Sequence, residues 1–211
     1  MIESPMRVKP ILVQLMAAAL PGRLKRALLR WALGWSIGEG TRLGFSLLLC
    51  ERVTIGADCR IGHCNMFRRL RVLEIGPGTL IGNFNDFMSG EHTGWPASLR
   101  IGFNSHVTSH HFFDCSGGIR IGDWSLVGGR NTQLWTHFYD SHTVHTRPLS
   151  IGDRCYICAR ATLVYCHVPN DCVVVAGAVV TRDFLNPAAA ALGLCVLACV
   201  FIAFMTLMAS R

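Results

Sequence analysis

IGADCRIG at residues 55–62 and IGDWSLVG at residues 121–128 carry one signal, an apolar residue followed by Gly that returns after six positions. The same dipeptide stands at Ile37-Gly38, Leu43-Gly44, Ile75-Gly76, Ile81-Gly82, Ile101-Gly102 and Ile151-Gly152. A helix repeats near 3.6 residues and a strand at two, so neither produces this spacing. A short fixed period instead marks a coiled repeat whose units bury their apolar face only by stacking on one another.

Three short strands of about six residues per turn make a triangular coil of about 18 residues. Residues 37–186 are therefore expected to form an all-β domain, a left-handed parallel β-helix of hexapeptide repeats. Departures from the period mark extruded chain. The gaps from Ile61 to Ile75 and from Ile81 to Ile101 each run two residues over a multiple of six. Between Val127 and Ile151 the dipeptide disappears, and the segment from Leu134 to Leu149 holds Trp, Tyr, Asp, Arg and three His. Loops set on a rigid scaffold are where chemistry concentrates.

The two ends lie outside the repeat. Residues 1–36 are expected to form an N-terminal amphipathic helical segment, with Leu24, Leu28, Trp31 and Trp35 on one face and Arg23, Arg26 and Arg30 mostly on another. Basic residues beside Trp and Leu suit an interfacial membrane helix, and a helix capping the open end of the coil suits them equally. The basic residues follow the first apolar run, Ile11 to Leu20, which argues against a signal peptide. Residues 187–211 are expected to be a C-terminal hydrophobic helix. Ala188 to Ser210 carries no charge and is long enough to cross a bilayer, with packing on the coil as the alternative. Most basic residues precede this segment, which would leave the coil on the cytoplasmic face.

The chain is 51% hydrophobic and 16% charged, so it is neither disordered nor strongly solvated. Its net charge of +7 comes without a long basic run, so anionic lipid or a polyanionic ligand is the expected partner and nucleic acid is not. Ten Cys are present, but Cys155-x-x-Cys158 has no second pair to complete a zinc site. Cys59 and Cys155 each follow a repeat Ile by four, where a tight corner takes a small side chain. Buried, reduced thiols in a reducing compartment are the expectation.

With the repeat in place, residues 37–183 resemble the hexapeptide-repeat acyltransferase superfamily. The stretch IGDRCYICARATLVYCHVPNDCVVVAGAVVTRDF is similar to the terminal coils of acetyl-CoA-dependent sugar O-acetyltransferases. HHFFDCSGGIRIGDWSLVGG followed by LWTHFYDS resembles the branch that acetylates surface polysaccharides or their precursors. The resemblance implies a homotrimer, acetyl-CoA in the groove between neighbouring coils as acyl donor, and a saccharide acceptor, with no metal expected; the apolar C-terminal segment is what would anchor the chain, to a bacterial inner membrane. It places the general base at His137, with His142 and His145 as competitors. Imidazole titrates near neutrality, so it can take a proton from an attacking hydroxyl and return it to the leaving thiolate, with backbone N–H groups steadying the oxyanion. No acyl-enzyme is needed.

Asp140 is a candidate to orient that imidazole, or else the start of a turn. His110, His111 and Asp114 are candidates for acceptor contacts, with solvated corners as the alternative. For the donor the resemblance carries over Ala159, Ala176, Thr181 and Arg182. The small residues admit the thin pantetheine arm, and the cation opposes phosphate. The chain departs from the pattern in three places. The last coils are one residue short between Leu163 and Val168, which leaves Ala176 uncertain by one position. Cys158 replaces the usual Gly, and Asn186-Pro187-Ala188 runs straight into the apolar segment. Two other functions are open. One is a coil that no longer binds CoA and serves as a scaffold. The other is a zinc carbonic anhydrase on the same coil, using the pairs His106/His111 and His137/His142.

Overall fold

The repeat residues stack in register. In the computed structural model, which describes residues 8–90, 94–139 and 143–183, Ile37 pairs with Ile55, and the column continues through Ile75, Ile101, Ile121, Ile151 and Val168. A second column runs Leu43, Ile61, Ile81, Val107, Val127, Ile157 and Val174. A third runs Leu48, Phe67, Phe87, Phe113, Leu134, Leu163 and Val180. All strand pairs in these columns are parallel, and most of the column side chains are buried in one core. Phe67 stacks on Phe87 at 4.4 Å, and Phe87 meets Phe113 edge-on at 5.1 Å. The result is a parallel β-helix.

One face is a seven-stranded sheet, and the other two are joined into a twelve-stranded sheet. They join because the strands Leu47–Ile55 and Met66–Ile75 run on around a corner, with a register shift between Leu49 and Cys50.

The glycine of each repeat pair is required by the closeness of the next coil. Gly122 donates its N–H to the carbonyl of Ile151 at 2.8 Å, and a Cβ there would lie 2.6 Å from the backbone carbon of Gly152. Four residues after each Ile the corner holds a small polar side chain aimed at the next coil. Ser105 donates to Gly122 O at 2.7 Å, Ser125 to Gly152 O at 2.7 Å, and the Cys155 thiol to Pro169 O at 3.0 Å. Cys59 and Cys155 thus act as small corner residues. All eight Cys among the described residues are free thiols. Burial pushes Cys155 and Cys166 up to about 11 and holds Cys115 well above the ordinary thiol range, so none of the three is poised as a nucleophile.

The short last coil keeps its register. Tyr165 turns the corner with φ of 51°, and Val168 and Val174 still pair with Ile151 and Ile157. Gly177 N donates to Ala159 O at 3.0 Å, so Ala176 follows Val174 as Ala159 follows Ile157.

The N-terminal segment forms two helices, α1 (Val8–Ala18) and α2 (Gly22–Leu33), and it caps the coil by an unexpected chemistry. In later coils the carbonyls of Ile55, Cys59 and Ile61 accept N–H groups from the preceding coil. The first coil has no predecessor, and three cations of α2 take over. Arg30 donates to Ile37 O (2.8 Å from Nε), Arg26 to Thr41 O (2.9 Å) and Lys25 to Leu43 O (2.9 Å). On α1 the Gln14 amide both donates to Leu48 O and accepts from Leu48 N, as a neighbouring strand would. Open strand edges need such cover.

This corrects the expected helix faces. Arg26 and Leu29 are buried against the coil, whereas Leu24 and Trp31 point outward, Trp31 being 85% exposed. Among the described residues no helix is long and apolar enough to cross a membrane, and the expected C-terminal helix at 187–211 lies outside them.

Candidate active site at the His137 hairpin

The extruded segment leaves the core after Leu134 and returns at Leu149, both buried. It opens with an antiparallel hairpin, His137–Tyr139 against Val144–Thr146, that pairs His137 with Thr146. His137 is thereby held at the foot of the loop, next to the coil. Thr136 fixes the junction. Its hydroxyl donates to Asp114 O at 2.6 Å and accepts Gly117 N at 2.8 Å. Gly117 cannot be larger, because a Cβ would come within 2.4 Å of Arg147 O.

One coil earlier, Asp114 ends the strand Phe112–Asp114 and is fully buried. A buried carboxylate needs donors on both oxygens. Oδ1 accepts the Ser116 hydroxyl at 2.6 Å, and Oδ2 accepts Thr136 N at 2.9 Å and His137 Nδ1 at 2.7 Å. A carboxylate only accepts, so the His137 proton resides on Nδ1 and the lone pair on Nε2. The ring is partly exposed, at 18% of the side chain. Trp95 lies 5.5 Å from it and Tyr139 5.8 Å, so aromatic surfaces flank the imidazole. Gly90 makes room for Trp95, whose ring carbon would meet a Cβ there at 2.5 Å. Burial, with the Asp114 charge second, pushes the nearby Tyr165 phenol up to about 12, which keeps it a neutral hydroxyl.

Asp114 is thus not on an acceptor-facing surface; it holds His137 from beneath. Asp140 and His142 lie outside the described residues. His145 stacks on Phe138 at 4.9 Å on the opposite strand of the hairpin. His111 is also displaced from the expected acceptor role. It is a buried corner rung, with Nε2 on the Thr108 hydroxyl at 2.9 Å and Nδ1 accepting Thr132 N at 3.1 Å. Burial, with His110 second, pushes it down to about 4, so it is a neutral structural ring. Both of its nitrogens are engaged, and it forms no ligand pair with the exposed His106. Among the described residues no three His, Cys, Asp or Glu side chains could hold a metal.

His110 is exposed and stacks on Phe84 at 5.0 Å, on the corner that precedes the strand Phe112–Asp114. Ala159 and Ala176 lie on that same corner in later coils, beside Gly129, where a Cβ would stand 2.4 Å from that of Ala159. Small residues there keep the ridge low. Thr181 and Arg182 are exposed just after the strand Val179–Val180. Within one chain, then, Ala159 and Ala176 lie before the strands of this face and His137 after them. Sequence reading missed Ser116, Thr136, Gly117 and Trp95. No signal in the sequence marked them: the pairing of Phe113 with Leu134, which brings Asp114 beside Trp135 and within two residues of His137, exists only in the folded coil.

Fold and site together define a class: a parallel β-helix of hexapeptide turns bearing a carboxylate-held imidazole on an extruded hairpin. No family model matches the chain. It is 26% identical over 141 residues to the bifunctional protein GlmU of a Nostoc species, an alignment that takes in 67% of this chain and 27% of that protein. The chain therefore spans about a quarter of the curated relative it matches. A hexapeptide-repeat-containing acetyltransferase from Vibrio cholerae O1 biovar eltor, solved in complex with acetyl-CoA, aligns with 84% of this chain and 77% of its own. The TM-score is 0.41 and the identity 17%.

Proposed function

We propose that this chain is an acetyl-CoA-dependent O-acetyltransferase on a left-handed parallel β-helix, transferring acetyl to a hydroxyl of a surface-polysaccharide sugar or its precursor. The observation that carries the reading is the 2.7 Å contact between His137 Nδ1 and the buried Asp114 carboxylate. It leaves Nε2 as a base and steadies the imidazolium formed when Nε2 takes the acceptor's hydroxyl proton. The protonated ring then returns that proton to the leaving group. Bound acetyl-CoA supplies the thioester carbonyl as electrophile. The low ridge of Gly129, Ala159 and Ala176 fits its pantetheine arm, and the exposed Arg182 suits its phosphates. Trp95 and Tyr139 offer flat apolar faces beside the base, as a pyranose ring requires.

His137 and the Ala159 ridge stand at opposite ends of one face. A homotrimer in which one protomer's His137 meets another's ridge brings the two together. The orienting carboxylate in this reading is Asp114. Residues 187–211 would attach the enzyme to a bacterial inner membrane with the coil on the cytoplasmic face, a role supported by their lack of charge before Arg211.

Thiol release from acetyl-CoA, measured with a panel of saccharide acceptors on wild type and His137→Ala, tests the proposal. Undiminished turnover in the variant would remove the base. Absence of CoA binding by calorimetry would remove the enzyme reading and leave a scaffold.

A further inference from the structure

The N-terminal cap uses its cations inward and leaves its apolar residues outward. On α1, Val8, Leu12, Leu15 and Met16 are each more than half exposed, at the i, i+4, i+7, i+8 spacing of a single helix face. On α2, Leu24 and Trp31 are exposed as well, at i and i+7. A helix that serves only as a cap would turn such residues onto the coil and give its cations to water. Here Lys25, Arg26 and Arg30 are committed to coil carbonyls. Residues 8–35 contain no Asp or Glu, and the remaining cations, Lys9 and Arg23, are exposed at the margin of the apolar surface.

We propose that the outer face of α1 and α2 docks on an anionic lipid bilayer. Exposed Leu, Met and Trp enter the interface, and Lys9 and Arg23 meet the headgroups. Charge selects this occupant over a second copy of the chain. Two such caps face to face would oppose Lys9 and Arg23 with like charges, and residues 8–35 offer them no carboxylate; the nearby exposed Glu39 is already engaged by Arg26 and Arg30. An anionic leaflet supplies the missing sign. The apolar surface continues inward at Leu15 into a cavity of about 360 Å³ that Ile11, Phe45 and Leu47 help to line. Docking through this face is independent of catalysis. It is also separable from residues 187–211, because the cap closes the first coil and that segment follows the last one.

Trp31 is its own probe. The full chain and its Trp31→Phe variant are compared by tryptophan emission with vesicles of mixed neutral and anionic phospholipid, with and without brominated acyl chains. The emission assigned to Trp31 by difference should shift to the blue and fall at least about twofold with brominated chains. Arg23→Gln should weaken partition about fivefold, and neutral vesicles should bind less still. Chain that floats with vesicles while Trp31 stays unquenched would place attachment elsewhere and overturn the proposal. So would Trp31 shielded without lipid, with the mass doubled by sedimentation, or equal partition to neutral and anionic vesicles.

Discussion

Replacing Asp114 by Asn tests the site because it changes charge with almost no change in shape. Oδ2 accepts two N–H donors, Thr136 N and His137 Nδ1, so an amide nitrogen cannot stand there. The amide nitrogen must take the Oδ1 position, where the Ser116 hydroxyl can turn to accept it and the long 3.3 Å contact from Ser116 N is given up. His137 then keeps its tautomer and its hydrogen bond, and the partner of that bond loses its charge. A hydrogen bond to a charged group contributes about 1.5–3 kcal/mol and a neutral one about 0.5–1.5 kcal/mol. The difference of roughly 1–1.5 kcal/mol falls on the imidazolium formed during proton transfer, which predicts about a tenfold drop in kcat. His137→Ala removes the base and should cost about 10²–10⁴-fold. Asp114→Ala leaves Thr136 N–H buried without a partner and should fall between the two in activity while lowering the melting temperature. The assay is thiol release from acetyl-CoA at saturating donor, with KM for acetyl-CoA unchanged in Asp114→Asn. Wild-type kcat in Asp114→Asn, or a loss as deep as that of His137→Ala, would refute the reasoning.

Gly122→Ala should destabilise by about 1–3 kcal/mol, because its Cβ meets the next coil's backbone, whereas Gly94→Ala meets nothing within 4 Å and should stay within about 0.5 kcal/mol in thermal melts. Arg26→Met should cost about 1–3 kcal/mol by orphaning the buried Thr41 carbonyl, with the exposed Arg23→Gln nearly neutral by the same melts. His111 titrates at about 4 when folded and near 6.5 when unfolded, so between these values only the unfolded chain takes up a proton. Stability should therefore fall by up to about 3 kcal/mol as pH drops from 6.5 to 4, and His111 should add no further loss below that. His111→Asn places the side chain of the preceding rungs, Asn65 and Asn85, in that corner and should flatten the slope; parallel melting curves for the two proteins would contradict the assignment.

The coil was legible because its constraint is local and repeated. Each Ile-Gly pair answers the same demand, an inward side chain followed by a residue with no Cβ at the closest approach of the next coil. Even the slip at Leu163 was visible. What it did to register was not, since a short corner either shifts the column or is absorbed by a turn such as that at Tyr165. His137 stood out as an imidazole in the segment that lost the period. Asp114 stands out in the sequence as an acidic residue, but its burial beneath His137 does not, because exposure is not written in residue type.

The sequence alone determined that apolar columns would stack in coils of six-residue steps and that chain would be extruded between Val127 and Ile151. Which carboxylate holds His137 was set in three dimensions, since Asp114 and His137 meet across neighbouring coils. The tertiary structure also decided what Lys25, Arg26 and Arg30 do. The carbonyls they satisfy are orphaned only once the first coil exists with nothing beneath it, and an edge of that kind has no sequence signature.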